Sequence, residues 1–201
     1  QKTKPTQHSV KELRSIGLQP DVLVGRCEDP LEEKTREKIA LFCDVPTDAV
    51  FSNPDVEDIY RVPLVVEEEG LDQYVMEHFG LEDRALPSEE RGGEWRETVT
   101  REPTDSVDVA LVGKYGLEDA YISIHEALKH AGFEHAVEVN RHWVHSEDLV
   151  NGYDGELDGM DAIVVPGGFG SRGTEGKIEA VRYARENDVP YLGLCLGFQM
   201  A

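Results

Sequence analysis

Residues 190–199 read Pro-Tyr-Leu-Gly-Leu-Cys-Leu-Gly-Phe-Gln, and few folds accept that order. An apolar run enters Gly-x-Cys-x-Gly, the spacing of a nucleophile elbow: a strand ends, one residue sits on a sharp turn, and a helix begins. Gly193 and Gly197 flank the turn because a side chain at either place would crowd it. Cys195 at the apex then projects into a crevice, near the next backbone N–H and the positive end of the new helix. Those groups favour the thiolate, the form that attacks carbon. Taken alone, a Cys on a strand reads sooner as a small buried core thiol before a glycine turn. A second glycine loop at 166–170, Pro-Gly-Gly-Phe-Gly, shifts the reading to the elbow.

Both glycine loops follow short apolar runs, which places them at strand ends. From Val107 the pattern alternates cleanly. Strands are expected at Val107–Val112, Val137–Val144, Ala162–Val165 and Tyr191–Leu194. A helix capped by Asp119 should reach Ala131, with Ile122, Ile124, Ala127 and Leu128 inward and Gly132 as its stop, and a second should run Lys177–Glu186 on Ile178, Val181, Tyr183 and Ala184. Alternation with right-handed crossovers makes a parallel sheet, whose sites lie beyond the carboxyl ends of its strands. Both loops fall at that edge.

The first part of the chain also reads as α/β. Residues 1–7 form a polar loop; Ser9 caps a short helix ending before Gly17, with Val10, Leu13 and Ile16 on one face. Val22–Val24 is a buried strand and Ala49–Phe51 another. Between them Leu31–Phe42 is a charged amphipathic helix with Ile39, Leu41 and Phe42 inward. Val56–Phe79 is helical, anchored by Ile59, Leu64, Leu71, Tyr74, Val75 and Phe79 and divided by Pro63 and Gly70. Residues 80–105 lose periodicity and carry Pro87, Gly92, Gly93 and Pro103. The expected organisation is two parallel-sheet α/β domains, residues 1–80 and 106–201, joined by a linker at 81–105.

The 201 residues carry 41 acids against 20 basic residues, a net charge of −21. That excess repels nucleic acid and anionic membranes at long range. The acids are spread among periodic apolar positions, so a folded core under an acidic skin is expected rather than disorder. With eight lysines, such a skin suits concentrated salt, where screening weakens self-repulsion. A halophilic source is therefore expected. Cys27, Cys43 and Cys195 are far apart, with no C-x-x-C, which fits a reducing cytoplasm rather than a disulfide or zinc framework. No signal peptide or membrane-length apolar run is present in the sequence. Gln1 is not a natural start and Ala201 falls inside the expected helix, so the chain reads as a piece of a longer protein.

A thiolate attacking an acyl carbon needs donors for the new oxyanion. The backbones of Gly168 and Leu196 are the candidates, since glycine lets the main chain come close. A thiol enzyme also needs a general base, usually His. His145 and Glu147 make a His-x-Glu pair, but in a loop after a strand, away from the elbow. His125, His130 and His135 read as a helix exterior. Gly113-Lys114 is too short for a phosphate-binding P-loop. On its own residues the chain is a thiol acyl-transfer half-site without its base.

The loop at 166–170 followed by 193–199 resembles the class I (triad) glutamine amidotransferases, whose domain is flavodoxin-like. Residues 2–13 (Lys-Thr-Lys-Pro-Thr-Gln-His-Ser-Val-Lys-Glu-Leu), 38–43 (Lys-Ile-Ala-Leu-Phe-Cys) and 112–115 (Val-Gly-Lys-Tyr) narrow the resemblance to the CTP synthase family. It runs through essentially the whole chain outside the linker.

The resemblance implies a ligase of two half-reactions. Glutamine is hydrolysed in the second domain; in the first, ATP with Mg2+ activates UTP and ammonia converts it to CTP, which feeds back as inhibitor. It assigns Cys195 as nucleophile, Gly168 as oxyanion donor, and Leu196, Gly197, Phe198 and Gln199 to the glutamine pocket. It also assigns Lys2, Thr3, Lys4, Pro5, Thr6, Gln7 and Lys38 to UTP or CTP, and Pro54, Asp55 and Val56 to ATP. Where the family usually has Lys-Asp-Val, this chain has Pro-Asp-Val, which leaves that loop its backbone contacts. Lys114 and Arg172 fall in the regions implicated in allosteric activation by GTP. The P-loop and Mg2+ carboxylates are expected before Gln1, and the catalytic His and Glu after Ala201. A cytoplasmic homotetramer is the implied assembly. The rival readings are a glutaminase subunit of another pathway, a DJ-1-like Cys hydrolase, and a non-enzymatic scaffold with a degenerate site.

Overall fold

The computed structural model describes residues 2–84, 93–115, 118–152 and 155–201, with only the backbone of Glu118 and Asp119. Pro87 and Gly92 of the expected linker, Gln1, and the Asp119 cap lie outside the described residues or side chains. The chain divides into two compact units, Gln1–Thr100 and Arg101–Ala201.

The first unit runs α1 (Lys4–Ser15), β1 (Leu23–Cys27), α2 (Glu33–Cys43), β2 (Val50–Pro54), α3 (Val62–Glu68), α4 (Leu71–His78) and α5 (Gly93–Thr100). Strands β1 and β2 pair in parallel, Leu23 with Val50 through Cys27 with Pro54. Val10 of α1 packs with Ile39, Ala40 and Cys43 of α2 and Val50 of β2 to form the core.

Several local expectations are corrected. Residues 4–7 are helical rather than a loop: Pro5 sits in the first turn of α1, where its missing N–H costs nothing and its fixed φ suits the helix. Thr3, not Ser9, stands at the helix start, and the Gln7 Nε2 amide donates to Thr3 Oγ1 at 3.0 Å. Ser9 lies inside α1 and donates back to the Pro5 carbonyl at 3.1 Å. Val24 is on β1 but about half exposed, because exposure alternates along that strand. In α2, Ile39 is buried while Leu41 and Phe42 face solvent; at about 100° per residue Leu41 falls opposite the stripe of Ile39, Ala40 and Cys43, and Phe42 lies on its open flank. Gly70, at φ +82°, separates α3 from α4. Leu64 is buried there, whereas Ile59, Val75 and Phe79 are exposed. Helix α5 lies within the stretch expected to be an aperiodic linker. It is tied to its own unit by Trp95 Nε1 donating to the Tyr60 carbonyl at 3.0 Å, and by Arg96 reaching Glu67 at 3.0 Å and Glu68 at 3.2 Å.

One polar clamp fastens α2 to β2. Arg36 donates to the Val50 carbonyl at 2.8 Å, Ser52 Oγ at 2.8 Å and Glu69 Oε2 at 2.6 Å. The same Glu69 oxygen accepts from the Ser52 N–H at 2.7 Å. Burial pushes the Glu69 carboxyl up, but the Ser52 N–H and Arg36 outweigh it, and its pKa ends below the usual range.

The second unit runs β3 (Asp105–Gly113), α6 (Ile122–His135), β4 (Val137–His145), β5 (Ala162–Val165), α7 (Thr174–Glu186), β6 (Tyr191–Gly193) and α8 (Leu196–Gln199). All strand pairs are parallel, in the order β4-β3-β5-β6. Counted within the unit this is 2-1-3-4, the flavodoxin-like winding. Strand β3 shows why two layers of helix are needed. Ala110 and Val112 join Ile163, Val165, Ala180, Tyr183 and Ala184 on the α7 side. Val109 and Leu111 join Val164 and, from α6, Ile124 and Leu128 on the other. Gly132 does not stop α6 but lies within it; a Cβ there would stand 2.6 Å from the Val137 carbonyl oxygen. The helix ends at Ala136, φ +51°, and Ile122 at its start is exposed.

Candidate functional site

Sheet order reverses between β3 and β5, and in such sheets the crevice outside the carboxyl ends at that switch point takes the ligand. Three segments leave there: Lys114-Tyr115 after β3, the 166–170 loop after β5, and Leu194-Cys195 after β6.

Cys195 is exposed and precedes α8 with φ +51° and ψ −106°. Left-handed backbone at a non-glycine residue costs about 1–3 kcal/mol, so its surroundings must hold it. The flanking glycines do so by contact. A Cβ on Gly193 would come within 2.6 Å of Gly197 C and Phe198 N; one on Gly197 would come within 1.9 Å of the Val165 oxygen. Helix α8 is thus seated directly on β5 and β6. Tyr191 Oη donates to the Gly197 carbonyl at 2.7 Å, and burial pushes that phenol up to about 12, keeping it a donor across the neutral range.

The 166–170 loop packs against the elbow. A Cβ on Gly167 would lie 3.4 Å from Cys195 Cβ; one on Gly168 would lie 3.1 Å from Lys114 Cδ and 3.5 Å from Leu196 Cδ2. The carbonyls of this loop are held by donors. Lys114, buried, donates through Nζ to Phe169 O and, at 3.3 Å, to Gly170 O. Tyr121 Oη reaches Gly167 O, and the Phe169 N–H reaches Tyr115 Oη, each at 3.4 Å. Lys177, fully buried in α7, donates to Pro166 O at 2.6 Å. Burial lowers the Lys177 pKa to about 8, helped by the Lys114 ammonium and opposed by Cys195. Sequence reading left Lys177 unassigned, although Lys177, Ala180 and Ala184 stand at i, i+3 and i+7 on one helix face and all three are buried.

Of the other proposed glutamine-pocket residues, Gly197 is buried, Leu196 half-buried, and Phe198 and Gln199 exposed. Phe169, next to them in the loop, is also exposed. The structure does not bring His145 to the thiol. It ends β4, three strand spacings from β6, which is roughly 14 Å at about 4.8 Å each. Its Nδ1 lies 3.7 Å from Glu147 Oε2. Glu147 in turn holds Arg172 bidentately at 2.9 and 2.8 Å. Both GTP-region cations, Lys114 and Arg172, therefore already have partners.

In the first unit, Lys2, Lys4, Pro5 and Lys38 are exposed, Thr3 is buried, and Thr6 and Gln7 are half-buried. Lys2 and Lys4 stand at the start of α1, whose Val10 packs on α2, the helix that carries Lys38. Pro54, Asp55 and Val56 line a cleft of about 370 Å³ with Arg26, Asn53, Ile59 and Val62. Asn53 Oδ1 there is buried and has no hydrogen-bond partner among the described residues; Arg26 pairs with Asp55 at 3.0 Å. Among the described residues no three His, Cys, Asp or Glu side chains are grouped to hold a metal, and no helix is long and apolar enough to cross a membrane.

Two family models match the chain: CTP synthase N-terminus over residues 1–81 and Glutamine amidotransferase class-I over residues 117–201. All 201 residues align at 73% identity with a CTP synthase from Natronomonas pharaonis, of which they cover 37%, and at 71% with one from Haloarcula hispanica, of which they cover 36%. A CTP synthase from Pyrococcus abyssi is 56% identical over 203 aligned positions, again with 37% of its length covered. The chain thus spans little more than a third of these relatives. Among solved structures, the glutaminase domain of Trypanosoma brucei CTPS with bound acivicin is 38% identical, with a TM-score of 0.41, over 47% of this chain and 38% of that one.

Proposed function

The chain belongs to the CTP synthase family, and from that premise we propose that it supplies the nucleophile half of a glutaminase site and the nucleotide-facing part of a synthetase domain. The whole protein would aminate UTP to CTP at the expense of ATP. The observation that carries this reading is Cys195, an exposed thiol on left-handed backbone between two glycines that no other residue can replace without collision.

In the proposed reaction the Cys195 thiolate attacks the side-chain carboxamide carbon of glutamine. The N–H groups of Gly168 and Leu196 receive the oxyanion, ammonia leaves, and water releases glutamate from the thioester. Proton transfers to the leaving nitrogen and from the water need a base that none of the described residues supplies at the elbow. The relatives extend well beyond the aligned segment, which is where a His and a Glu are assigned. Leu196, Gly197, Phe198 and Gln199 would line the glutamine pocket.

In the first unit, Lys2 through Gln7 and Lys38 would take the triphosphate of UTP, or of CTP as inhibitor. Lysines at the start of a twelve-residue helix are suited to an anion. ATP would use the cleft beside Pro54, Asp55 and Val56; the unpartnered acceptor Asn53 Oδ1 fits an amino-bearing base. Mg2+ ligands are not assigned to any described residue. A charge contact from Lys114 or Arg172 to GTP would require either cation to leave its present partners. An acidic surface, relatives from Natronomonas and Haloarcula, and three separated cysteines support a salt-adapted cytoplasmic enzyme. The homotetramer stays with the family reading, as does the division into residues 1–80, a linker at 81–105, and 106–201.

The test is covalent labelling of the full-length protein by the glutamine-mimicking electrophile 6-diazo-5-oxo-norleucine. One equivalent on Cys195, loss of glutamine-dependent synthesis and retention of ammonia-dependent synthesis are expected. Absence of labelling in folded protein would favour the scaffold reading. Labelling without a UTP-dependent rise in melting temperature would favour another glutaminase.

A further inference from the structure

We infer that Lys177 is a positioning residue for the glutaminase step, acting on the oxyanion loop from beneath the sheet edge. The inference rests on the proposal that Cys195 is the nucleophile. Its geometric basis is independent of that proposal. A lysine with no exposed surface donates at 2.6 Å to the carbonyl of Pro166, the first residue of the glycine loop. Across a planar trans peptide the carbonyl of one residue and the N–H of the next point in opposite directions. Holding Pro166 O toward α7 therefore turns the Gly167 N–H to the opposite side of the loop. Gly167 itself lies against Cys195. From the β3 side Lys114 holds the Phe169 and Gly170 carbonyls, so Gly168 is fixed between two anchored ends.

A buried ammonium is expensive to keep, and a salt-adapted protein with eight lysines places this one under its reactive loop. The titratable groups acting on it from neighbouring elements are Lys114, after β3, and Cys195, after β6. Lys114 and burial favour the neutral amine, whereas Cys195 as thiolate favours the ammonium. With the lysine titrating at about 8, its charge, and with it the charge-assisted form of its bond to Pro166 O, is lost above that range.

The experiment uses full-length enzyme with Lys177→Met and Lys177→Arg. The readouts are glutaminase kcat and KM, ammonia-dependent CTP synthesis, and the melting temperature. Lys177→Met removes charge and donor together. Its kcat should fall about 10- to 100-fold, the scale of a misplaced catalytic group, with KM for glutamine nearly unchanged. Lys177→Arg, which keeps both charge and donor, should restore most of kcat. Ammonia-dependent synthesis should persist in both. Wild-type kcat in Lys177→Met would overturn the inference. So would equal loss of kcat and of melting temperature in both variants, the mark of a merely structural lysine. Failure of wild-type Cys195 to react with 6-diazo-5-oxo-norleucine would instead overturn the nucleophile assignment itself.

Discussion

Replacing Gly197 by alanine adds one methyl group where the structure leaves no room. The new Cβ would stand 1.9 Å from the Val165 oxygen and 2.8 Å from its carbon. An ordinary carbon–oxygen approach is about 3.3 Å, so β5 and α8 must separate by roughly 1.4 Å along that contact. The carbonyl cannot simply swing aside, because it accepts the Leu194 N–H at 3.0 Å, a bond worth about 1 kcal/mol. Overpacking of this kind costs about 1–3 kcal/mol, which gives a total of about 2–4 kcal/mol. A shift of about 1 Å at the nucleophile should also slow its chemistry about 100-fold. The assay is the rate of Cys195 labelling in full-length protein, followed beside thermal melting and ammonia-dependent synthesis. Gly93→Ala, where a Cβ meets nothing within 4 Å, serves as the control and should leave all three readouts unchanged. Wild-type labelling by the Gly197→Ala protein would refute the idea that glycine contacts set the elbow.

The Arg36–Glu69 clamp should show in acid. A carboxyl held below its usual range contributes stability that is fully present above the unfolded value, about 4.3, and is lost as pH falls through the folded value. Glu69→Gln should therefore lower stability by about 1–2 kcal/mol at pH 7 and flatten the decline between about pH 5 and 3, measured by denaturant melts. The net charge of −21 predicts a melting temperature that falls as KCl is withdrawn, because screening of like charges is lost; a steady rise would contradict salt adaptation.

What was legible in the sequence was legible for local reasons. Ala162–Val165 was bounded correctly because an apolar run stops at Pro166. The elbow was found because Gly193, Cys195 and Gly197 satisfy one steric requirement within five residues. The errors arose where partners distant in sequence decide. Leu41 and Phe42 look like core residues beside Ile39, yet only the face carrying Ala40 and Cys43 meets α1 and β2. Gly132 looks like a helix stop, but its role is close passage of the chain at Val137. Helix α5 has weak periodicity and is held by Tyr60, Glu67 and Glu68, which no local pattern announces. Lysine is ordinarily a surface residue, and only the place of Lys177 in the stripe with Ala180 and Ala184 argues otherwise.

The strand order of the second unit also governs how it is made. Strands β3 and β4 are joined through α6 and pair over nine residues, Asp105 with Val137 through Gly113 with His145, so this ladder can form while the chain is still being synthesised. The other edge of β3 must wait for β5, which begins at Ala162. During that interval Val109 and Leu111 present an unpaired apolar edge, the kind of surface on which nascent chains stick to one another. Asp105 and Asp108 stand at the start of that strand, and Asp161, whose N–H and carboxylate bond to Asp108, arrives just ahead of β5. Through those two bonds to the Asp108 backbone, Asp161 fixes the register in which the late strand closes that edge.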